Sequence, residues 1–80
     1  SENTTDVSSF PGSYQGSTQT SYVRQLQTWL NQLGYDCGTV DGEFGYNTRQ
    51  SVINFQTDAG LVADGIVGQA TWKMLAQSVG

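Results

Sequence analysis

The residues best suited to chemistry are three carboxylates, Asp41, Glu43 and Asp64, and one thiol, Cys37. Glycoside hydrolysis uses two carboxylates at a set separation. Asp41 and Asp64 each precede a glycine, however, and Asp-Gly is a tight-turn dipeptide in which glycine takes the positive φ and the carboxylate accepts backbone N–H groups. Both aspartates therefore read as turn caps, and a catalytic pair is not expected in so small a chain. A calcium loop of the EF-hand type needs oxygen ligands at alternating positions before its glycine. Counting back from Asp41-Gly42 meets Thr39 and Cys37, and from Asp64-Gly65 it meets Val62 and Gly60, so this loop type is rejected. The chain has no histidine, which removes His-based metal sites and catalytic triads. Cys37 is the single cysteine, has no histidine to activate it and has no internal disulfide partner, so it reads as an inert, half-buried thiol. No metal and no cofactor is expected.

The turns belong to a longer pattern used twice. Residues 41–52 and 64–75 share D-G-x-apolar-G-x-x-T-x-x-x-aliphatic. The pattern extends backwards: Leu26-Gln27 and Gly34-Tyr35 precede the first turn, and Phe55-Gln56 and Gly60-Leu61 precede the second, with shorter spacers. One Asp-Gly is generic, but a spaced set recurring in so short a chain argues for one helix–turn–helix unit repeated.

Length allows one small domain. The net charge is −4, and the only cations are Arg24, Arg49 and Lys73. Nucleic-acid affinity comes largely from basic residues on phosphates, so a nucleic-acid partner is not expected. No apolar run approaches the ~18 residues of a membrane span. Residues 1–20 are rich in Ser, Thr, Gly, Asn and Gln, a composition that reads as a flexible linker or lead-in. Within it Phe10-Pro11-Gly12 and Tyr14 are the residues that would fold back, and Asn3-Thr4-Thr5 fits a glycosylation sequon. Residues 21–80 form the domain.

Periodicity predicts a helix from about Ser21 to Leu33, with Val23, Leu26, Leu30 and Leu33 in one stripe, Thr20 or Ser21 as N-cap and Gly34 as the stop. A second helix is expected over Tyr46–Ala59, with Gly45 at its N-cap, Thr48 bonding exposed backbone groups of the first turn, Val52 and Phe55 facing in, and Gly60 ending it. A third covers about Gln69–Gln77, with Trp72, Leu75 and Ala76 buried. Between them lie loops, with an extended piece around Thr39-Val40 in the first. Leu61, Ile66 and Val67 are expected to cover the core. Gln27 and Gln56, each following a core residue, read as partly buried amides that satisfy loop backbone groups. The fold class is all-α: a small three-helix bundle with two pseudo-symmetric helix–loop–helix repeats.

With catalysis and metals set aside, a binding module remains. Aromatic rings stack on sugar faces while amides and carboxylates meet hydroxyls and peptide groups. Trp29, Tyr35, Tyr46, Asn47 and Arg49, near the first repeat and its flanking helices, are the candidate ligand contacts.

Three stretches carry a family resemblance: LQTWLNQLGY at residues 26–35, VDGEFGYNTRQSVINFQ at 40–56 and GLVADGIVGQATWKML at 60–75. They are similar to the bacterial peptidoglycan-binding domains found at the ends of cell-wall hydrolases, whose pattern has L-Q-x-x-L-x-x-L-G-Y, D-G-x-F-G-x-x-T-x-x-A-V-x-x-F-Q and G-L-x-x-D-G-x-x-G-x-x-T-W-x-x-L. Phe10-Pro11-Gly12 with Gly16-Ser17 looks like a shortened form of the lead-in before many such domains. Ser51 stands where the family usually has Ala, and Tyr46 where Pro often opens the second helix. The resemblance implies a compact three-helix domain with no catalysis of its own, which binds peptidoglycan and attaches a covalently linked, secreted catalytic domain to the bacterial cell wall. It implies an extracellular or wall-associated monomer. The alternative from another class is a protein–protein docking or assembly module on the same fold.

Overall fold

In a computed structural model, the described residues are 10, 12–16 and 19–79. They form three helices, α1 (Thr20–Gln32), α2 (Tyr46–Ala59) and α3 (Gln69–Val79). Among the described residues the only β-type pairing is an isolated antiparallel bridge between Ser13 and Val67. The expected extended piece at Thr39-Val40 forms no strand.

The helices begin and end for local reasons. α1 starts at Thr20, after Gln19, and carries no side-chain cap, so neither Thr20 nor Ser21 serves as one. Its end is a Schellman motif: the Gly34 N–H donates to Asn31 O (3.1 Å) and the Tyr35 N–H to Leu30 O (2.8 Å). α2 ends the same way, with the Gly60 N–H on Thr57 O (3.2 Å) and the Leu61 N–H on Gln56 O (2.8 Å). α2 opens at Gly45 as expected. α3 runs past Gln77 to Val79 because Val79 packs, half-buried, against the core.

α1 packs on both α2 and α3. The core they enclose holds Val23, Leu26 and Leu30 from α1, Val52 and Phe55 from α2, and Trp72, Leu75 and Ala76 from α3, closed by Phe44 and Val67 from the loops. Leu33 is half-buried, as is Leu61, and Ile66 is exposed, so Val67 alone of the second-loop apolar trio covers the core fully.

The N-terminal segment crosses this core as a strap. Phe10 packs edge-on against Trp72 (centroids 4.9 Å apart) and Tyr22 (4.9 Å), and stacks on Trp29 at 6.5 Å. The Ser13 N–H donates to Val67 O at 3.0 Å and the Val67 N–H donates back at 2.6 Å. The Gly16 N–H donates to Phe44 O at 3.0 Å. Phe44 and Val67 occupy the same place in the two repeats, each three residues after its turn aspartate. The strap thus ties both turns through matching carbonyls. Asn3, Pro11 and Ser17 lie outside the described residues.

A strap that supplies an aromatic side chain to the core contributes to stability. Phe10→Ala should destabilise the domain by ~1–3 kcal/mol, less than the ~3–5 of a fully buried phenylalanine because Phe10 is half-buried. Urea denaturation followed by tryptophan fluorescence checks this, and an unchanged midpoint would detach the strap from the core.

Candidate functional site

Each turn is built around a buried glutamine amide. Gln27 Nε2 donates to Asp41 Oδ1 (3.0 Å), to Glu43 O (3.0 Å) and to Thr48 Oγ1 (3.1 Å). Gln27 Oε1 accepts from the backbone N–H of Asp41 (3.1 Å) and of Gly42 (3.0 Å). In the second turn Gln56 Nε2 donates to Asp64 Oδ1 (3.2 Å), Ile66 O (2.9 Å) and Thr71 Oγ1 (3.2 Å), and Gln56 Oε1 accepts from the Gly65 N–H (3.0 Å). The aspartates finish the turns: Asp41 Oδ1 accepts the Glu43 N–H and Asp64 Oδ1 the Ile66 N–H, both at 2.9 Å. The amide orientation is fixed, because a flipped side chain would set oxygen against oxygen and N–H against N–H. Equivalent residues make equivalent bonds in the two turns with one exception: the Asp64 N–H donates to Val62 O (3.0 Å) where the Asp41 N–H donates to the glutamine.

Thr48 departs from expectation here. It does not serve the backbone of its own helix end; its hydroxyl accepts from Gln27. The turn glycines are required twice over. Gly42 and Gly65 have φ of 78° and 76°. A Cβ on Gly65 would lie 3.0 Å from Arg49 Cγ, and one on Gly42 would collide with the Thr20 side chain and lie 3.3 Å from Arg24 Nε.

The first loop is longer than the second, and Asn31 and Cys37 fix the added chain. Asn31 Nδ2 donates to Gly38 O (3.1 Å), and Asn31 Oδ1 accepts the Cys37 N–H (3.0 Å). The buried Cys37 thiol donates toward Asn31 Oδ1 (3.3 Å) and Gln27 O (3.5 Å). Burial pushes its pKa up, so the thiolate is disfavoured. Cys37 is more deeply buried than the half-buried thiol the sequence suggests.

Beside this loop opens a groove of about 400 Å³, lined by Thr39, Asp41, Glu43, Gly45, Tyr46 and Asn47 over a floor of Gln27, Cys37 and Thr48. Tyr46 is 66% exposed. Asp41 is held ionised below the usual carboxylate range, first by the Glu43 N–H and then by the Gln27 amide.

Of the five candidate contacts, the structure brings Tyr46 and Asn47 together at this groove. Trp29 is a correction: it is 7% exposed, with its ring edge-on to Trp72 at 6.0 Å and stacked with Phe10, so it is a core residue and presents no ring to a ligand. Tyr35 is not among the groove's walls. Its ring packs edge-on against Phe55 (5.6 Å) and its hydroxyl donates to Asp58 Oδ2 (2.6 Å), a bond that raises its pKa. Arg49 lies over Gly65 and belongs to the second turn. Thr39, Glu43 and Gly45 also line the groove, beyond the five candidates. The available signal was the turn itself: Gln27 and Asp41 hold the Glu43 backbone and leave its side chain exposed.

The second turn has its own groove of about 350 Å³, and its walls are more apolar: Asp64 and Gln69 stand in the places of Asp41 and Tyr46, but Val62, Ile66 and Ala70 replace Thr39, Glu43 and Asn47.

The family described as "Putative peptidoglycan binding domain" matches residues 19–75. Among curated relatives, the N-acetylmuramoyl-L-alanine amidase CwlM of Mycobacterium tuberculosis is 43% identical over 53 residues, covering 66% of this chain and 13% of that protein. A spore cortex-lytic enzyme of Oceanobacillus iheyensis is 41% identical over 56 residues, 70% of this chain and 20% of the enzyme. The zinc D-Ala-D-Ala carboxypeptidase of Streptomyces albus G is 45% identical over 60 residues, 69% of this chain and 22% of the enzyme. The chain therefore spans between 13% and 22% of the length of these relatives. No solved structure matches it significantly.

Two predictions follow from the clamp. Gln27→Leu and Gln56→Leu should each cost ~1–3 kcal/mol, since the first strands two backbone donors and a carbonyl and the second one donor and a carbonyl; chemical denaturation measures this, and a neutral result at both would remove the clamp from the account of stability. Because folding depresses the Asp41 pKa, its contribution is present above the unfolded value of ~4 and is lost as pH falls through the folded value. Asp41→Asn should therefore lower the melting temperature at neutral pH and flatten its fall below pH ~4 relative to the parent. Parallel acid limbs in the two proteins would contradict the assignment.

Proposed function

The chain belongs to the peptidoglycan binding domain family, and from that premise we propose that it is a non-catalytic module which attaches a linked, secreted enzyme to bacterial cell-wall peptidoglycan. The observation that carries the reading is the groove beside the first turn. There an exposed tyrosine, an asparagine and a carboxylate line a concave surface fixed from below by a buried amide. A ring of this kind stacks on sugar faces, and the polar groups meet hydroxyl and amide donors. Rigid support keeps the entropy lost on binding small.

The same geometry argues against a general-acid role for Asp41. Asp41 Oδ1 accepts from the Glu43 N–H and the Gln27 amide, and these bonds keep the carboxylate ionised. A general acid needs the opposite, a raised pKa and a free carboxyl. Function by tethering needs no chemistry: modest affinity for an insoluble polymer raises the effective concentration of whatever the module is joined to. The likeness to segments of an amidase, a cortex-lytic enzyme and a carboxypeptidase supports a catalytic domain as the partner. A wall-bound, extracellular monomer accords with that role.

The test is co-sedimentation with purified sacculi. The domain should pellet with them, and Tyr46→Ala should lower binding about tenfold, the loss of ~1.4 kcal/mol of ring contact, while leaving the melting temperature unchanged. Full binding by a folded Tyr46→Ala would move the site away from this groove. No binding by the parent domain, with its fold intact, would favour protein–protein docking on the same fold.

A further inference from the structure

The groove carrying Tyr46 does not end at the first turn. On the far side of Glu43 and Gly45 lies another groove of about 400 Å³, lined by Gly16 of the strap, Thr20 of α1, Gly42 and Phe44. Glu43 and Gly45 line both grooves. The more apolar groove of the second turn shares no residue with either. The strap creates the added groove, because the Gly16 N–H bond to Phe44 O holds Gly16 against the turn.

We infer that these adjoining grooves form one extended site that takes a run of the glycan strand, rather than the stem peptide, across the Glu43–Gly45 ridge. The inference rests on the peptidoglycan reading above. Three features carry it. The two depressions share the Glu43–Gly45 segment as a common wall, and Gly45 adds no side chain between them. Their walls present the hydroxyls of Thr20 and Thr39, the Asn47 amide and the Asp41 and Glu43 carboxylates beside one exposed ring, a set that can accept hydrogen bonds from sugar hydroxyls and N-acetyl N–H groups. Among the described residues no lysine or arginine lines either groove, whereas Asp41 and Glu43 do. Stem peptides end in carboxylates, which this lining would repel and leave unpaired. Arg24 packs against Gly42, where its charge helps keep Asp41 ionised, and lines neither groove.

The ridge offers a clean steric probe. Gly45 is extended, with φ −99° and ψ −163°, and a Cβ added there meets nothing within 4 Å. Gly45→Leu should therefore fold and fill the junction, while Gly45→Ala tests the backbone change alone. The experiment measures binding of the domain to β-1,4-linked N-acetylglucosamine oligomers of two, four and six sugars, which keep the glycan backbone without the free lactyl carboxylates of peptide-stripped strands, to free stem peptides and to intact sacculi. Affinity should rise about tenfold or more from two sugars to six, Gly45→Leu should remove that gain with its melting curve intact, and Gly45→Ala should keep most of it. Stem peptides should compete poorly. Length-independent glycan affinity, competition by stem peptides alone, or a folded Gly45→Leu with the full gain would each overturn the extended glycan site. Sacculus binding that still depends on Tyr46 would then leave the module reading standing; absence of sacculus binding in the parent domain would sink both.

Discussion

Two buried amides hold this domain in shape. Gln27 and Gln56 each lie almost wholly inside the protein, and each reaches from a helix into the turn that follows. A buried amide is expensive unless its donors and acceptor are all met. Only one backbone path through each turn meets them: the Asp carboxylate on one side, the carbonyl two residues later on another, and the Thr hydroxyl of the next helix on a third. The clamp therefore sets the turn, the turn sets where the next helix starts, and the helix start places Phe44 or Val67 over the core. Aspartate, glycine and threonine at fixed spacing are consequences of the glutamine. The spacing before the aspartate is free, and it differs between the turns because Asn31 and Cys37 brace the longer path in the first.

A domain this small buries only ~60% of its unfolded surface and needs every element it can recruit. The strap answers part of that need. It adds an aromatic ring to a cluster formed by Trp29 and Trp72 from two different helices, and its backbone bonds to both turns at matching positions. Trp29 is therefore occupied with holding α1 to α3. A tryptophan beside the apolar stripe of a helix becomes available to a ligand only if nothing covers it, and here Phe10 does.

The helices, their glycine stops and most of the core were legible in the sequence because helical spacing and glycine's positive φ are local rules. The amide role of Gln27 and Gln56 was legible because each directly follows a core leucine or phenylalanine and recurs before an Asp-Gly. Less of the candidate site could be read. Tyr46 and Asn47 sit at the mouth of the groove because they open α2 straight after the clamped turn. Tyr35 and Arg49 are near in sequence but are turned elsewhere by long-range contacts, a hydroxyl bond to Asp58 and packing over Gly65. The burial of Trp29 depends on Phe10, nineteen positions earlier in a segment whose composition reads as linker. Such contacts leave no periodic trace in the chain.

The division between clamp and surface explains how two like turns come to present unlike faces. At the clamped positions the turns agree: Gln27 with Gln56, Asp41 with Asp64, Gly42 with Gly65, Thr48 with Thr71. At the positions the clamp leaves outward they do not. Glu43 faces Ile66 in the comparison, Tyr46 faces Gln69, and Asn47 faces Ala70. Because the buried network fixes the backbone without using these side chains, they can change with little effect on stability, and one turn carries an aromatic and acidic lining while the other carries Val62 and Ile66, 79% and 50% exposed. The strap widens the difference by laying Gly16 beside the first turn and so extending its groove. The candidate groove is thereby confined to one of two near-equivalent turns, and the scaffold that makes them equivalent is what allows the lining of either to vary alone.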